Sequence, residues 1–163
     1  MPMTEDSAPI RATGRCLCGA FRYSIRGPLR STVTACHCTT CRKFTGGIWV
    51  GTCALREHVV IERGDTLKWY RSSAGARRAF CGNCGSSLFW EGDDAQFWSI
   101  AAGSLDEPTG LRLATHSWTA ESADYWSFDP GIPRKPGPSG LGGPEPQATD
   151  RQSAVIPNLG DCS

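Results

Sequence analysis

Residues 14–26 read Gly-Arg-Cys-Leu-Cys-Gly-Ala-Phe-Arg-Tyr-Ser-Ile-Arg, and two features of this stretch decide the fold class. Phe21, Tyr23 and Ile25 alternate with Arg22, Ser24 and Arg26. That is the period of two expected of a strand with one buried face, because successive side chains leave a strand on opposite sides. Just before them stands a Cys-x-Cys pair, Cys16 and Cys18, followed at once by Gly19, where the backbone is free to turn tightly. The same short period continues outward, predicting strands over 31–38, 47–54, 79–80, 88–90, 97–101 and 115–119. Val59-Val60-Ile61 and residues 67–70 flank Arg63-Gly64-Asp65 and read as a hairpin with a Gly turn. No window of 11 residues keeps a period of 3.6, and only 120–125 suggests a helical turn, so the chain is expected to be all-β.

Composition bounds what such a chain does. Its 163 residues suit one domain, and a net charge of +1 gives no global case for binding nucleic acid or an anionic membrane. No apolar run is long enough to span a bilayer. The first ten residues, MPMTEDSAPI, lack the apolar centre of a secretory signal, so a cytoplasmic location with reduced thiols is expected. Gly and Pro are concentrated at the other end, with 12 in residues 131–163 against 18 in the 130 before them. All 15 aromatic residues fall between Phe21 and Phe128. A segment with nothing to bury cannot offset its ordering entropy, so the sequence divides into a flexible 1–10, a folded 11–130 and a disordered tail 131–163.

The charges are ordered in a way the net value hides. Residues 11–78 carry 13 Lys and Arg against 3 acids, whereas 79–130 carry 1 against 8. Two readings follow: the halves pair with each other in the fold, or Arg42, Lys43 and nearby arginines form a positive rim that attracts an anionic substrate.

Nine cysteines are too many for an ordinary reduced domain and odd for a disulfide framework, which points to metal. Seven of them form three clusters: Cys16 and Cys18, Cys36, Cys38 and Cys41, and Cys81 and Cys84. A closed structural zinc takes four ligands and a reactive one takes three plus an open position, so seven divides as four plus three. The outer pairs, each followed by Gly (Gly19, Gly85), supply the four. Joining them closes a loop of 62 residues between Cys18 and Cys81. That costs about 3 to 4 kcal/mol, against the roughly 10 to 16 kcal/mol that structural zinc provides. The middle trio comes from six consecutive residues. On an extended segment Cys36 and Cys38 share a side, His37 points away, and Cys41 returns on the turn Thr39-Thr40. Three thiolates around a divalent ion leave a net charge of −1 and one position for a water or a substrate sulfur. The alternative is a second closed site completed by Cys53, His37 or His58. Cys53, in an apolar strand, reads rather as a small buried hydrophobe, His58 as a surface residue, His116 as core or pocket lining, and Cys162 as a free thiol in the tail.

Three stretches together, GRCLCGAF at 14–21, ACHCTTCRK at 35–43 and FCGNCGSSL at 80–88, resemble the glutathione-dependent formaldehyde-activating enzyme family, which also includes centromere protein V. The resemblance covers about residues 11–130. It implies a β-tent fold of antiparallel sheets and two zinc ions. Cys16, Cys18, Cys81 and Cys84 would hold a structural zinc, and Cys36, Cys38 and Cys41 one that is catalytic. The implied activity is that of a carbon-sulfur lyase of the S-hydroxymethylglutathione synthase kind, joining a thiol such as glutathione to a small aldehyde such as formaldehyde, or releasing it. Arg42 and Lys43 are the candidate contacts for substrate carboxylates. The alternative is a non-catalytic zinc module, either a glutathione carrier or a protein or nucleic-acid interaction domain.

Overall fold

The computed structural model of the chain describes residues 8–139. Positions 1–7 of the expected flexible N-terminus and 140–163 of the expected tail, Cys162 among them, lie outside the described residues. Ten strands follow one another: β1 (Ala12–Arg15), β2 (Arg22–Ile25), β3 (Thr32–Cys36), β4 (Trp49–Leu55), β5 (Val59–Arg63), β6 (Leu67–Ser73), β7 (Ala76–Cys81), β8 (Ser87–Gly92), β9 (Phe97–Ala101) and β10 (Arg112–Ser117). One α-helix, α1 (Thr39–Thr45), sits between β3 and β4. The all-β expectation is met, with α1 as the exception.

The strands form two sheets, an antiparallel one of order β1-β2-β5 and a seven-stranded one of order β10-β3-β4-β9-β8-β7-β6. In the larger sheet every pair is antiparallel except β10 on β3. The core lies where the small sheet meets the large one. Phe21, Tyr23 and Ile25 pack there with Ala54, Ala79, Leu88, Phe89, Trp98 and Ile100. Tyr23 and Phe89 meet edge to face with ring centroids 5.0 Å apart, and Phe21 meets Phe89 at 5.8 Å. Burying side chains of this size stabilises the fold by roughly 1.5 to 3 kcal/mol each. The alternation expected of residues 21–26 is less strict than predicted, because Ser24 is buried as well as Tyr23 and Ile25. β2 is the central strand of its sheet, with β1 and β5 on its two sides.

The expected hairpin over 59–70 does not form. β5 pairs with β2, and β6 pairs with β7. Around Gly64 the chain does turn, with Leu67 N–H donating to the Gly64 carbonyl at 2.9 Å. The strands on either side then part, because each completes the edge of a different sheet. The helical turn expected within 120–125 is a 3-10 turn at Thr119–Glu121. The folded body also runs past the expected boundary at 130, as far as Ser139. Pro133 and Gly137 carbonyls accept from the His116 and Trp118 amides at 2.9 and 2.7 Å, and the Lys135 amide donates to the His116 carbonyl at 2.8 Å. β10 is an edge strand, and this segment supplies the backbone partners that its outer side would otherwise lack.

Candidate metal centres

The turn after β1 brings Cys16 and Cys18 to the turn between β7 and β8, where Cys81 and Cys84 stand. Both turns are built alike. Gly19 N–H donates to the Cys16 carbonyl at 3.0 Å and Gly85 N–H to the Cys81 carbonyl at 2.8 Å, and the two glycines have φ of 73° and 77°. Those left-handed values are strained for a residue with a Cβ, which accounts for Gly after each cysteine pair. All four sulfurs lie within 4.8 Å of one another. Cys16 and Cys18 Sγ are 3.5 Å apart, and Cys18 and Cys81 Sγ 3.9 Å. A tetrahedron of thiolates at 2.3 Å from zinc has edges of about 3.8 Å, so the set fits that ion. Local donors reach two of the sulfurs. The Phe21 amide donates to Cys16 Sγ at 3.3 Å, and the Ser86 hydroxyl and amide hold the Cys84 thiol down at about 5.

The second set is Cys36 at the end of β3, Cys38 just beyond it and Cys41 in α1, again with all three sulfurs within 4.8 Å of one another. The turn expected at Thr39-Thr40 is the first turn of that helix. TTCRKFT is too short to declare a helical period and is rich in β-branched Thr; its ends hold it instead. Cys38 is the N-cap, its sulfur accepting from the Cys41 amide at 3.3 Å, and Gly46 closes the C-terminus at φ 74° with its amide on the Arg42 carbonyl. One sulfur of the trio thus shapes the helix that delivers another. Packed so closely, the three cannot all ionise unaided. Hydrogen bonds from Cys36 and Cys41 hold the Cys38 thiol far below its ordinary range, against burial and with help from the Cys41 amide and Arg78. Cys36 is pushed far up by Cys38, by Cys41 and by burial. Cys41 has its thiolate favoured by Cys36, but Cys38, burial and the charge on Cys38 outweigh this and push it up to about 11, with Arg78 opposing. A divalent cation among them removes that conflict, so this donor set also suits zinc.

No His, Asp, Glu or further Cys joins the trio within that distance among the described residues. His37 turns away from the sulfurs, as the alternation predicts. Its Nε2 lies 2.9 Å from His116 Nδ1, inside a cage of His116, Trp126 and Phe128 with ring centroids 5.0 to 5.1 Å away. Burial, the neighbouring His116 and Arg42 lower the His37 pKa to about 4, which keeps the ring neutral. Cys53 is fully buried with Phe97, apart from both cysteine sets. His58 is partly buried rather than on the surface, tucked against Gly27. Arg42 and Lys43 stand in the last turn of α1, Arg42 half-buried and Lys43 exposed.

Sequence reading missed the trio's walls and its cation. Trp49, Trp90, Trp118 and Ala101 pack around Cys36, Cys38 and Cys41. Gly51 makes room for one of them, since a Cβ there would collide with Trp49 and Ser99, whose Nε1 and Oγ are hydrogen-bonded at 3.0 Å. The cation is Arg78 of β7, 5% exposed, with Nη2 3.2 Å from Cys41 Sγ. One signal was available: Arg77-Arg78 within a strand sends two guanidinium groups to opposite faces, so one of them had to point inward.

Part of the charge segregation resolves into internal pairs. Arg15 meets Asp106, Arg56 and Arg77 meet Glu91, and Arg71 meets Asp93, each a basic residue of 11–78 with an acid of 79–130.

A crystal structure of a Rhodobacter sphaeroides protein is similar in fold, with a TM-score of 0.51 at 20% identity, over 63% of this chain and 99% of that one. An uncharacterized lyase of Schizosaccharomyces pombe is 34% identical over 79 residues, which is 47% of this chain and 55% of that protein. The chain therefore spans about half the length of the curated relative it matches. Residues 11–121 match the family described as glutathione-dependent formaldehyde-activating enzyme, a span that takes in all seven clustered cysteines. By its sequence, its two cysteine centres and this match, the chain belongs to that family.

Proposed function

We propose that the chain is a zinc-dependent carbon-sulfur lyase that joins a small thiol, glutathione in the first instance, to formaldehyde, or runs the same reaction backwards. The observation that carries this reading is the unequal donor count: four sulfurs in one centre and three in the other, with no fourth side chain among the described residues to close the second. Cys16, Cys18, Cys81 and Cys84 would hold a structural ion, and Cys36, Cys38 and Cys41 a catalytic one. Zinc on the trio supplies a Lewis acid that keeps a thiol deprotonated at neutral pH. The chain's own groups do the rest. Trp49, Trp90 and Trp118 give the trio an apolar surround that strengthens charge interactions inside it. Arg42 and Lys43, in the last turn of α1, would attract the carboxylates of a peptide thiol. In the forward direction the thiol S–H bond breaks, an S–C bond forms to the aldehyde carbon, and the carbonyl oxygen takes up a proton.

The test is Cys38→Ser. The substitution is expected to lower zinc content from two ions to one, and to abolish glutathione binding and hydroxymethylthiol formation while the β-sheet circular dichroism persists. Unchanged glutathione binding in Cys38→Ser overturns the proposal. Binding without turnover in the wild type would leave the chain a glutathione carrier.

A further inference from the structure

Among the described residues, Arg78 stands out by what surrounds it. It is buried, and no carboxylate of the described residues lies within ion-pair distance, whereas its neighbour Arg77 is paired with Glu91. Its Nη1 donates to the Ser72 hydroxyl, its guanidinium carbon lies 5.8 Å from the centre of the Phe44 ring, and its Nε is buried with no hydrogen-bond partner. A buried cation without a counter-charge is strongly disfavoured. The anion in reach is sulfur, because Nη2 lies 3.2 Å from Cys41 Sγ. Ser72 and Phe44 fix the guanidinium from two other elements, β6 and α1. The contact is therefore held in place rather than being one pose of a mobile side chain.

We propose that Arg78 is the built-in counter-ion of the three-cysteine centre, a positioning residue that stabilises the ionised sulfurs and lets the centre accept a fourth, anionic sulfur. Three thiolates and a divalent cation sum to −1, and a thiolate substrate brings this to −2 in a largely apolar surround. Arg78 returns the occupied centre to −1. By hydrogen-bonding Cys41 it also draws electron density from that ligand, which leaves the metal a better acceptor for the incoming sulfur. Arg42 and Lys43, nearer solvent, would act on the distant carboxylates of the substrate, whereas Arg78 acts on the reacting atoms' own charge.

This inference rests on the trio being a thiol-accepting metal centre, and the experiment keeps the two apart. Full-length wild type, Arg78→Met and Arg78→Lys are loaded with cobalt(II), and affinity is measured by chelator competition before any thiol is added. The four-cysteine centre of the same molecule serves as reference. Arg78→Met is expected to weaken cobalt binding at the trio by about 10- to 100-fold, the worth of a charge-assisted hydrogen bond, with the reference centre unchanged. Arg78→Lys, which keeps the charge, is expected to recover most of the loss. Wild-type affinity in Arg78→Met, or no recovery in Arg78→Lys, overturns the inference. Glutathione is then titrated while the sulfur-to-cobalt charge-transfer band is followed, and its affinity is expected to fall further in Arg78→Met than that of cobalt. A wild type that gains no such band refutes the proposed function, and the cobalt affinities still decide the role of Arg78. If Arg78→Met does not fold, the wild type loaded with cadmium-113 decides. The Arg78 guanidinium protons are expected to shift and exchange slowly once cadmium binds, and unshifted resonances overturn the inference.

Discussion

Cys18→Ser tests whether the four-cysteine centre holds the molecule together. Cys18 is exposed, so the substitution removes no core packing, and its effect reads ligation alone. The centre ties the turn between β1 and β2, in the three-stranded sheet, to the turn between β7 and β8, in the seven-stranded one. With 62 residues between Cys18 and Cys81, holding the tie costs about 4 kcal/mol of loop entropy, which the ion must outweigh. Losing the ion forfeits the surplus, about 6 kcal/mol or more, since structural zinc contributes on the order of 10 kcal/mol or above. That surplus is comparable with the whole stability of many domains, roughly 5 to 15 kcal/mol. At about 3 to 5 °C per kcal/mol for a domain of this size, the melting temperature of Cys18→Ser should fall by more than about 12 °C, or the protein should not fold. Calorimetry with parallel zinc analysis measures this. Leu17→Ser is the control: it lies between two ligands but is 89% exposed, and it should change stability by less than about 0.5 kcal/mol. Cys38→Ser is the contrast. The trio closes no long loop and serine is itself a favoured N-cap, so the substitution should cost about 2 kcal/mol or less. A Cys18→Ser protein that melts with the wild type, or a Cys38→Ser protein equally destabilised, refutes the division into a tie and a working site.

Two further outcomes follow from buried polar groups. For Glu91, burial works to raise the carboxyl pKa, but hydrogen bonds from Trp98, Arg77 and Arg56 outweigh it and hold the value below the usual carboxylate one. A depressed carboxylate adds stability that is present above its unfolded value near 4.5 and is lost as pH falls through the folded one. Glu91→Gln should therefore cost about 1 to 3 kcal/mol at neutral pH and narrow its gap to the wild type in acid; urea midpoints that run parallel from pH 7 to pH 3 would contradict this. His116→Phe leaves His37 Nε2 buried without the partner now 2.9 Å away, at a cost of about 1 to 3 kcal/mol. Thermal melting at unchanged zinc content checks it, and a melting temperature equal to the wild type would show that the pair contributes nothing.

Much of the fold and the division of the cysteines into two sets were legible in the sequence because they are written locally. Alternation over 21–26 needs only neighbours, and the turns Cys-x-Cys-Gly at 16–19 and Cys-x-x-Cys-Gly at 81–85 need only a glycine with positive φ, which Gly19 and Gly85 both are. What was missed is set by distance along the chain or by brevity. The turn at Gly64 is real, yet nothing local says that β5 will find β2 while β6 finds β7. Helix α1 has seven residues and is held by Cys38 and Gly46 at its ends, so no period announces it. Residues 131–139 bury little, but they answer the backbone groups of an edge strand, a need that composition does not record.

The same distinction explains why the two cysteine centres differ in kind. Ligands drawn from two sheets would couple metal binding to the folding of the whole molecule, so on the proposed function that centre holds its ion for structure. Ligands drawn from one strand end and one helical turn make no such demand, which is why the proposal puts the chemistry there. The charges obey the same division. Arg15, Arg56, Arg71 and Arg77 spend their charge on acids of the second half of the chain, in pairs that are exposed on at least one side. Arg78, one residue from Arg77 but facing inward, meets sulfur instead. Four arginines of the basic first half are thus engaged in pairs across the fold, and the alternation of β7 turns a fifth, Arg78, toward the trio.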